Sequence, residues 1–220
     1  KWVKQSIHYW CPDTKEHKFL GQNVTVAILD TGISPHPDFK DRILSFRDFS
    51  NTTGSSESSF FFLSFLPLID NSGHGTHVAG ILAEADFSLP ELMPESLPSA
   101  ILLLESIGSE WKRIYQNVIN GIQWIRDIYT QFHIRIINIS VGTRPDLSIH
   151  QKLLLLNAVE SLWDLGLVVV VSAGNYGPAP GSVTVPEAAQ KLSLLVFPTL
   201  SSDPHPKASS QLFGRGPTDD

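Results

Sequence analysis

The sequence predicts an α/β domain built on a doubly wound, mostly parallel sheet with helices on both faces. Three observations predict it. Apolar, β-branched runs recur without polar alternation, as strands do when both sheet faces are covered. Segments of helical periodicity lie between them, and alternating helix and buried strand wind into a parallel sheet. Three of the runs end in polar, glycine-containing signatures, and the carboxyl ends of such strands are where sites form.

The first strand is expected at Val24–Leu29 (VTVAIL), ending in Asp30-Thr31-Gly32. Asn51–Ser59 reads as a polar loop, and the apolar run Phe60–Ile69 has no usable periodicity. That run is far shorter than the roughly 20 residues a membrane-spanning helix needs. The stretch NSGHGTHVAG, Asn71–Gly80, places two histidines among glycines just ahead of an apolar helical run. Asp86–Pro98 carries no assignment. Between Arg113 and Phe132, residues Ile114, Val118, Ile122, Ile125, Ile128 and Phe132 fall on one face of a helix. A second strand, Ile134–Ser140, runs into Ser140-Val141-Gly142. A helix over Ile149–Gly166 follows, with Gly166 as its C-terminal cap. The third strand, Leu167–Ala173, ends in Ala173-Gly174-Asn175, and Leu192–Phe197 reads as a fourth. No internal repeat is present.

Composition narrows the function classes. The chain has 220 residues, enough for one α/β domain or most of a larger one, and a net charge of −6. No basic stripe marks a nucleic-acid partner, and no segment marks a membrane partner. The single cysteine, Cys11, permits no disulfide within the chain and reads as an incidental thiol. The chain starts at Lys1 with no charged-then-apolar leader, so this start is expected to be the interior of a longer precursor. Compartment is open between cytoplasmic and secreted.

Taken singly, each signature has an ordinary explanation. Asp30 can cap a turn, His74 can cap a helix, and Asn175 can supply a left-handed turn. A zinc ion shared by His74 and His77 would need a third protein ligand; there is no HExxH, no CxxC and no carboxylate at a characteristic spacing. No GxGxxG or Walker loop supports a nucleotide site.

In order along the chain, DTGI, HGTHVAG, NISVG, VVVVSAGN and GSVTVP closely resemble the subtilisin-like serine proteases. The resemblance implies a lead-in segment over residues 1–23 and a peptidase domain over 24–220 that is incomplete at its C-terminal end. It implies that His74 is the general base and that Asp30 fixes its tautomer. Imidazole suits the role because its unperturbed pKa of about 6.5 allows proton transfer both ways near neutrality. It implies that Asn175 donates to the oxyanion. Ser140, Val141 and Gly142 would pair with an extended peptide, and Ser172, Ala173 and Gly174 would wall a roomy pocket. His77 is expected to pack or hydrogen-bond at the helix start. No cofactor is required for the chemistry; structural calcium occurs in the family, but no aspartate-rich loop places a site.

The chain departs from the family pattern at one decisive point. The serine belongs in a Gly-Thr-Ser-x-Ala turn after the oxyanion asparagine, yet Gly-Thr occurs only at Gly75-Thr76 and Gly142-Thr143. The nucleophile is therefore expected beyond Asp220. The middle of the chain also gives only a loose echo, with Ala100–Leu104 as its possible strand. The expected function is a serine endopeptidase acting on polypeptides; the alternative is a catalytically inactive, peptide-binding relative.

Overall fold

The computed structural model describes residues 23–36, 39, 42–49, 57–59, 70–83, 100–105, 114–141, 147–172, 174 and 193–194. In chain order the elements are β1 (Thr25–Asp30), β2 (Ile43–Asp48), β3 (Glu57–Ser59), α1 (His74–Ala83), β4 (Ala100–Glu105), α2 (Ile114–Ile128), β5 (Ile134–Ile139), α3 (Ile149–Asp164), β6 (Val168–Val171) and β7 (Ser193–Leu194). They form one sheet of order β3-β2-β4-β1-β5-β6-β7, parallel except where β3 pairs antiparallel with β2.

β1 occupies the middle of this sheet, with β4 on one side and β5 on the other. Chain segments after β1 go first to the β4 side, then α2 carries the chain across to β5. The order of the strands reverses at β1, and a crevice opens at the carboxyl ends of strands on such a reversal. The run VTVAIL supports this central placement, because all six residues of β1 are buried.

Period-two alternation divides β1 between two cores. Ala27 and Leu29 point to one side and pack with α2, α3, Ile137, Ile139, Val169 and Val171. Val26 and Ile28 point to the other and pack with Ile33, Phe39, Ile43, Phe46 and Ala79 of α1. Leu29 and Ile28 are both fully buried, and each such side chain contributes about 1.5–3 kcal/mol. Asp30 continues the parity of Val26 and Ile28, so the same alternation that builds the core aims its carboxylate at α1.

The helices form as their periodicity dictates. Ile114, Val118, Ile122, Ile125 and Ile128 are the buried face of α2; Phe132 lies beyond the helix, half-buried against the same core. In α3, Ser148 accepts from the Gln151 N–H while the Gln151 side chain accepts from the Ser148 N–H, a reciprocal cap. Its other end closes on Gly166, at φ +78°, whose N–H reaches the Trp163 carbonyl while Leu167 N–H reaches Leu162.

One expectation changes, one strand was not anticipated, and one is described only in part. Asn51–Ser59 is not all loop, since Glu57–Ser59 forms β3 along β2. β2 itself carried no strand signal, because Ser45, Arg47 and Asp48 interrupt its apolar residues. The structure explains their presence: Ser45 is buried, and the Arg47 guanidinium stacks over Phe49 and Trp124, at 5.3 and 5.6 Å. The strand expected at Leu192–Phe197 is described only at Ser193–Leu194, where it pairs with β6.

Candidate active site

Asp30 is the last residue of β1 and is 1 % exposed. His74 is the first residue of α1, and its side chain is 52 % exposed. Although 44 positions apart in sequence, His74 Nδ1 lies 2.6 Å from Asp30 Oδ1. That oxygen also accepts the Thr31 N–H at 2.7 Å. An ionised carboxylate can only accept, so in the neutral imidazole the proton of the pair resides on Nδ1 and Nε2 keeps a lone pair. A buried carboxylate therefore lies in hydrogen-bond contact with a solvent-accessible imidazole.

The approach of α1 to β1 depends on Gly75. A Cβ there would stand 2.2 Å from the Gly32 carbonyl oxygen and 3.2 Å from Asp30 Cβ. No side chain fits that gap, so the glycine after His74 is what lets the helix start touch the strand end. The Gly75 N–H then donates to the Thr31 hydroxyl at 2.9 Å.

Asp70 holds the start of the helix from outside it. Its Oδ1 accepts from Ser72 N–H, Gly73 N–H and the Thr31 hydroxyl, at 3.1, 2.8 and 2.8 Å. Its Oδ2 accepts from the Thr76 N–H and hydroxyl, at 2.8 and 2.6 Å. Burial pushes the Asp70 carboxyl up, but the hydrogen bonds from Thr76, Thr31 and Gly73 outweigh it and hold the group below the usual carboxylate range. Helix α1 has no acidic residue in its first turn, and Asp70 supplies the negative charge its N-terminus favours. The Thr76 hydroxyl in turn accepts the Ser34 N–H at 2.9 Å.

Sequence reasoning missed Asp70, Thr31 and Thr76 as members of this site. The available signal was Asp70-Asn71-Ser72-Gly73, a run in which an aspartate readily bonds backbone N–H groups two and three residues on.

The remaining expected residues fall on one row. Leu29, Ile139 and Val171 are in register across β1, β5 and β6. Ser140 N–H donates to the Leu29 carbonyl and Ser172 N–H to the Ile139 carbonyl, both at 3.3 Å. Asp30, Ser140 and Ser172 thus stand side by side at the carboxyl edge of the sheet. The Ser140 hydroxyl accepts from Asn138 Nδ2 at 2.7 Å. Val141 turns its side chain into the α2–α3 core, which leaves its backbone as the part available to a ligand. Gly174 is buried at φ +75°. Gly142, Ala173 and Asn175 lie outside the described residues.

His77, expected to pack or hydrogen-bond at the helix start, does so through its backbone N–H, which closes the turn onto the Gly73 carbonyl, while the residue itself lies exposed. Two residues along a helix turn about 200°, so His77 faces away from the side that Gly75 and Ala79 press on the sheet. Among the described residues no three His, Cys, Asp or Glu side chains stand together as a metal site would require. None of the described helices is long and apolar enough to cross a membrane.

Known proteins resemble this chain along most of its length. The model of the Subtilase family matches residues 21–200. The chain is 33% identical over 208 residues to serine protease AprX of Bacillus subtilis (strain 168), covering 90% of this chain and 44% of that protein. It is 34% identical over 194 residues to a subtilisin of Bacillus pumilus, covering 87% of this chain and 62% of that one. Among solved structures it resembles S41 psychrophilic protease, with a TM-score of 0.60 and 28% identity over 78% of this chain and 52% of that one. Sphericase is similar at a TM-score of 0.58 and 26% identity, covering 76% and 51% of the two chains. The chain spans about half the length of such relatives.

Proposed function

Because the chain belongs to the subtilase family, we propose that it carries the acid–base half of a serine endopeptidase, with His74 as general base and Asp30 as its orienting carboxylate. The observation that carries this reading is the 2.6 Å contact between a buried Asp30 and an accessible His74.

The chemistry follows from the tautomer. Nε2 of His74 takes the proton of a serine hydroxyl as its oxygen attacks the peptide carbonyl. The imidazolium that forms is stabilised by Asp30, held 2.6 Å away in a site where the carboxylate is shielded from water. The tetrahedral intermediate places negative charge on the former carbonyl oxygen, and the Asn175 amide donates to it. A single donor of this kind is worth about 3 kcal/mol to the transition state. His74 then passes its proton to the leaving amine, and water repeats the sequence on the acyl-enzyme. The nucleophile is the family's serine, expected in sequence beyond Asp220.

The substrate is an extended polypeptide. Ser140 and Ser172 stand beside Asp30 at the carboxyl edge of the sheet, which supports a reading in which the Ser140–Gly142 backbone adds a peptide strand. Main-chain pairing tolerates many sequences, in keeping with a broad specificity.

The test is hydrolysis of an unstructured polypeptide by the full-length gene product. The expected result is turnover that His74→Ala lowers by a factor of about 10⁴ or more. A folded full-length protein without turnover, or turnover indifferent to His74→Ala, would favour the inactive peptide-binding relative instead.

A further inference from the structure

We propose that Asp70 and Thr31 are positioning residues for the Asp30–His74 pair, joined to it through one shared hydrogen-bond network. The proposal rests on the general-base reading above, and it goes beyond the cap that Asp70 forms on α1.

A cap alone requires only the bonds from Ser72, Gly73 and Thr76, all within the turn that starts the helix. The bond from the Thr31 hydroxyl leaves that turn and crosses to the end of β1. A hydroxyl has one proton, and here Asp70 takes it. The lone pairs of the Thr31 oxygen are then the acceptor for the Gly75 N–H, at 2.9 Å. The Thr31 backbone N–H meanwhile donates to Asp30 Oδ1, the same oxygen that receives His74 Nδ1. One threonine therefore touches both the carboxylate that orients the imidazole and the residue that follows the imidazole in the chain.

The network leaves little freedom for the His74 backbone. Gly73 on one side is bound to Asp70 and Gly75 on the other to Thr31. Gly75 cannot retreat toward β1, where the Gly32 carbonyl already fills the place of a Cβ. The Thr76 hydroxyl adds a second tether, from Ser34 on the far side of the turn after β1. What remains free is rotation of the His74 side chain, which the contact with Asp30 restrains. The ionised state of Asp70 suits this role, since only a carboxylate accepts all five donors at once. Misplacement of a catalytic group by about 1 Å costs on the order of a hundredfold in rate, so such bracing bears directly on turnover.

Thr31→Val and Thr31→Ser test the proposal. Valine keeps the shape, removes the hydroxyl, and leaves Asp70 its four cap donors; serine restores the hydroxyl. Circular dichroism checks that each variant folds. In this chain with ¹⁵N-labelled histidine, the Nδ1 proton resonance of His74 is expected to be lost or broadened in Thr31→Val and recovered in Thr31→Ser. In the full-length gene product, with active sites titrated, kcat is expected to fall about 10- to 100-fold in Thr31→Val with KM within about twofold, and to recover in Thr31→Ser. Asp70→Asn combined with Thr31→Val is expected to be non-additive. An unchanged His74 resonance and unchanged kcat in Thr31→Val, alongside a destabilised Asp70→Asn, would reduce Asp70 to a helix cap and overturn the proposal. If the wild-type protein hydrolyses nothing, the general-base reading fails, and the His74 resonance alone decides the positioning: its persistence in Thr31→Val overturns that too.

Discussion

In the proposed mechanism Asp30 and His74 divide the work of a base between a residue that is hidden and one that is not. The carboxylate gives up nearly all contact with water, and the imbalance is offset by the donors gathered on it, Thr31 N–H and His74 Nδ1. Replacing it by an amide tests the tautomer directly. In Asp30→Asn the amide can donate to Nδ1, which moves the ring proton to Nε2 and removes the base. The expected result is a kcat lowered by about 10⁴ in the full-length protein with the fold intact, read from steady-state hydrolysis and circular dichroism. Gly75 makes the complementary point about space. Gly75→Ala forces a methyl group to within 2.2 Å of a backbone oxygen that has nowhere to go. The variant is expected to lose about 3 kcal/mol or more of stability in urea denaturation, the upper part of the range for overpacking.

At the scale of elements, α1 meets β1 through the packing of Ala79 with Val26 and Ile28, and several short polar segments fix the geometry of its start. Asp70 is the electrostatic centre of that meeting. Its carboxyl is held below the usual range in the folded protein, so its contribution to stability is present above the unfolded-state value of about 4 and is lost as pH falls through the folded-state value. The difference in stability between wild type and Asp70→Asn is therefore expected to be full near neutrality and to shrink on acidification below about pH 4. Chemical denaturation across that range measures it. The elements also differ in how plainly they were written in the sequence. β1 was legible as an unbroken apolar run buried on both faces, α2 through the helical period of its buried residues, and α3 through its position between strands and the Gly166 cap. β2 was not, because its polar residues are buried or stacked on aromatic rings from another element, a tertiary effect no local pattern carries. The Asp30–His74 pair was legible through motif order, whereas Thr31, Asp70 and Thr76 were not. Their significance lies in bonds across tens of residues, each individually explicable as an ordinary turn or cap.

For the molecule as a whole, the sheet order places β1 at the reversal of strand order and puts α1 on one face, with α2 and α3 on the other. The core and the site are consequences of the same alternation along β1: Ala27 and Leu29 anchor one layer, Val26 and Ile28 the other, and Asp30 continues the second. The central claim, that this arrangement activates a serine, is tested most directly by reacting the full-length gene product with a fluorophosphonate probe and locating the adduct by mass spectrometry. The account predicts one adduct per molecule, on a serine in a Gly-Thr-Ser-x-Ala segment following Asp220, abolished in His74→Ala. A folded full-length protein that takes up no probe, or takes it up at the same rate without His74, would contradict it.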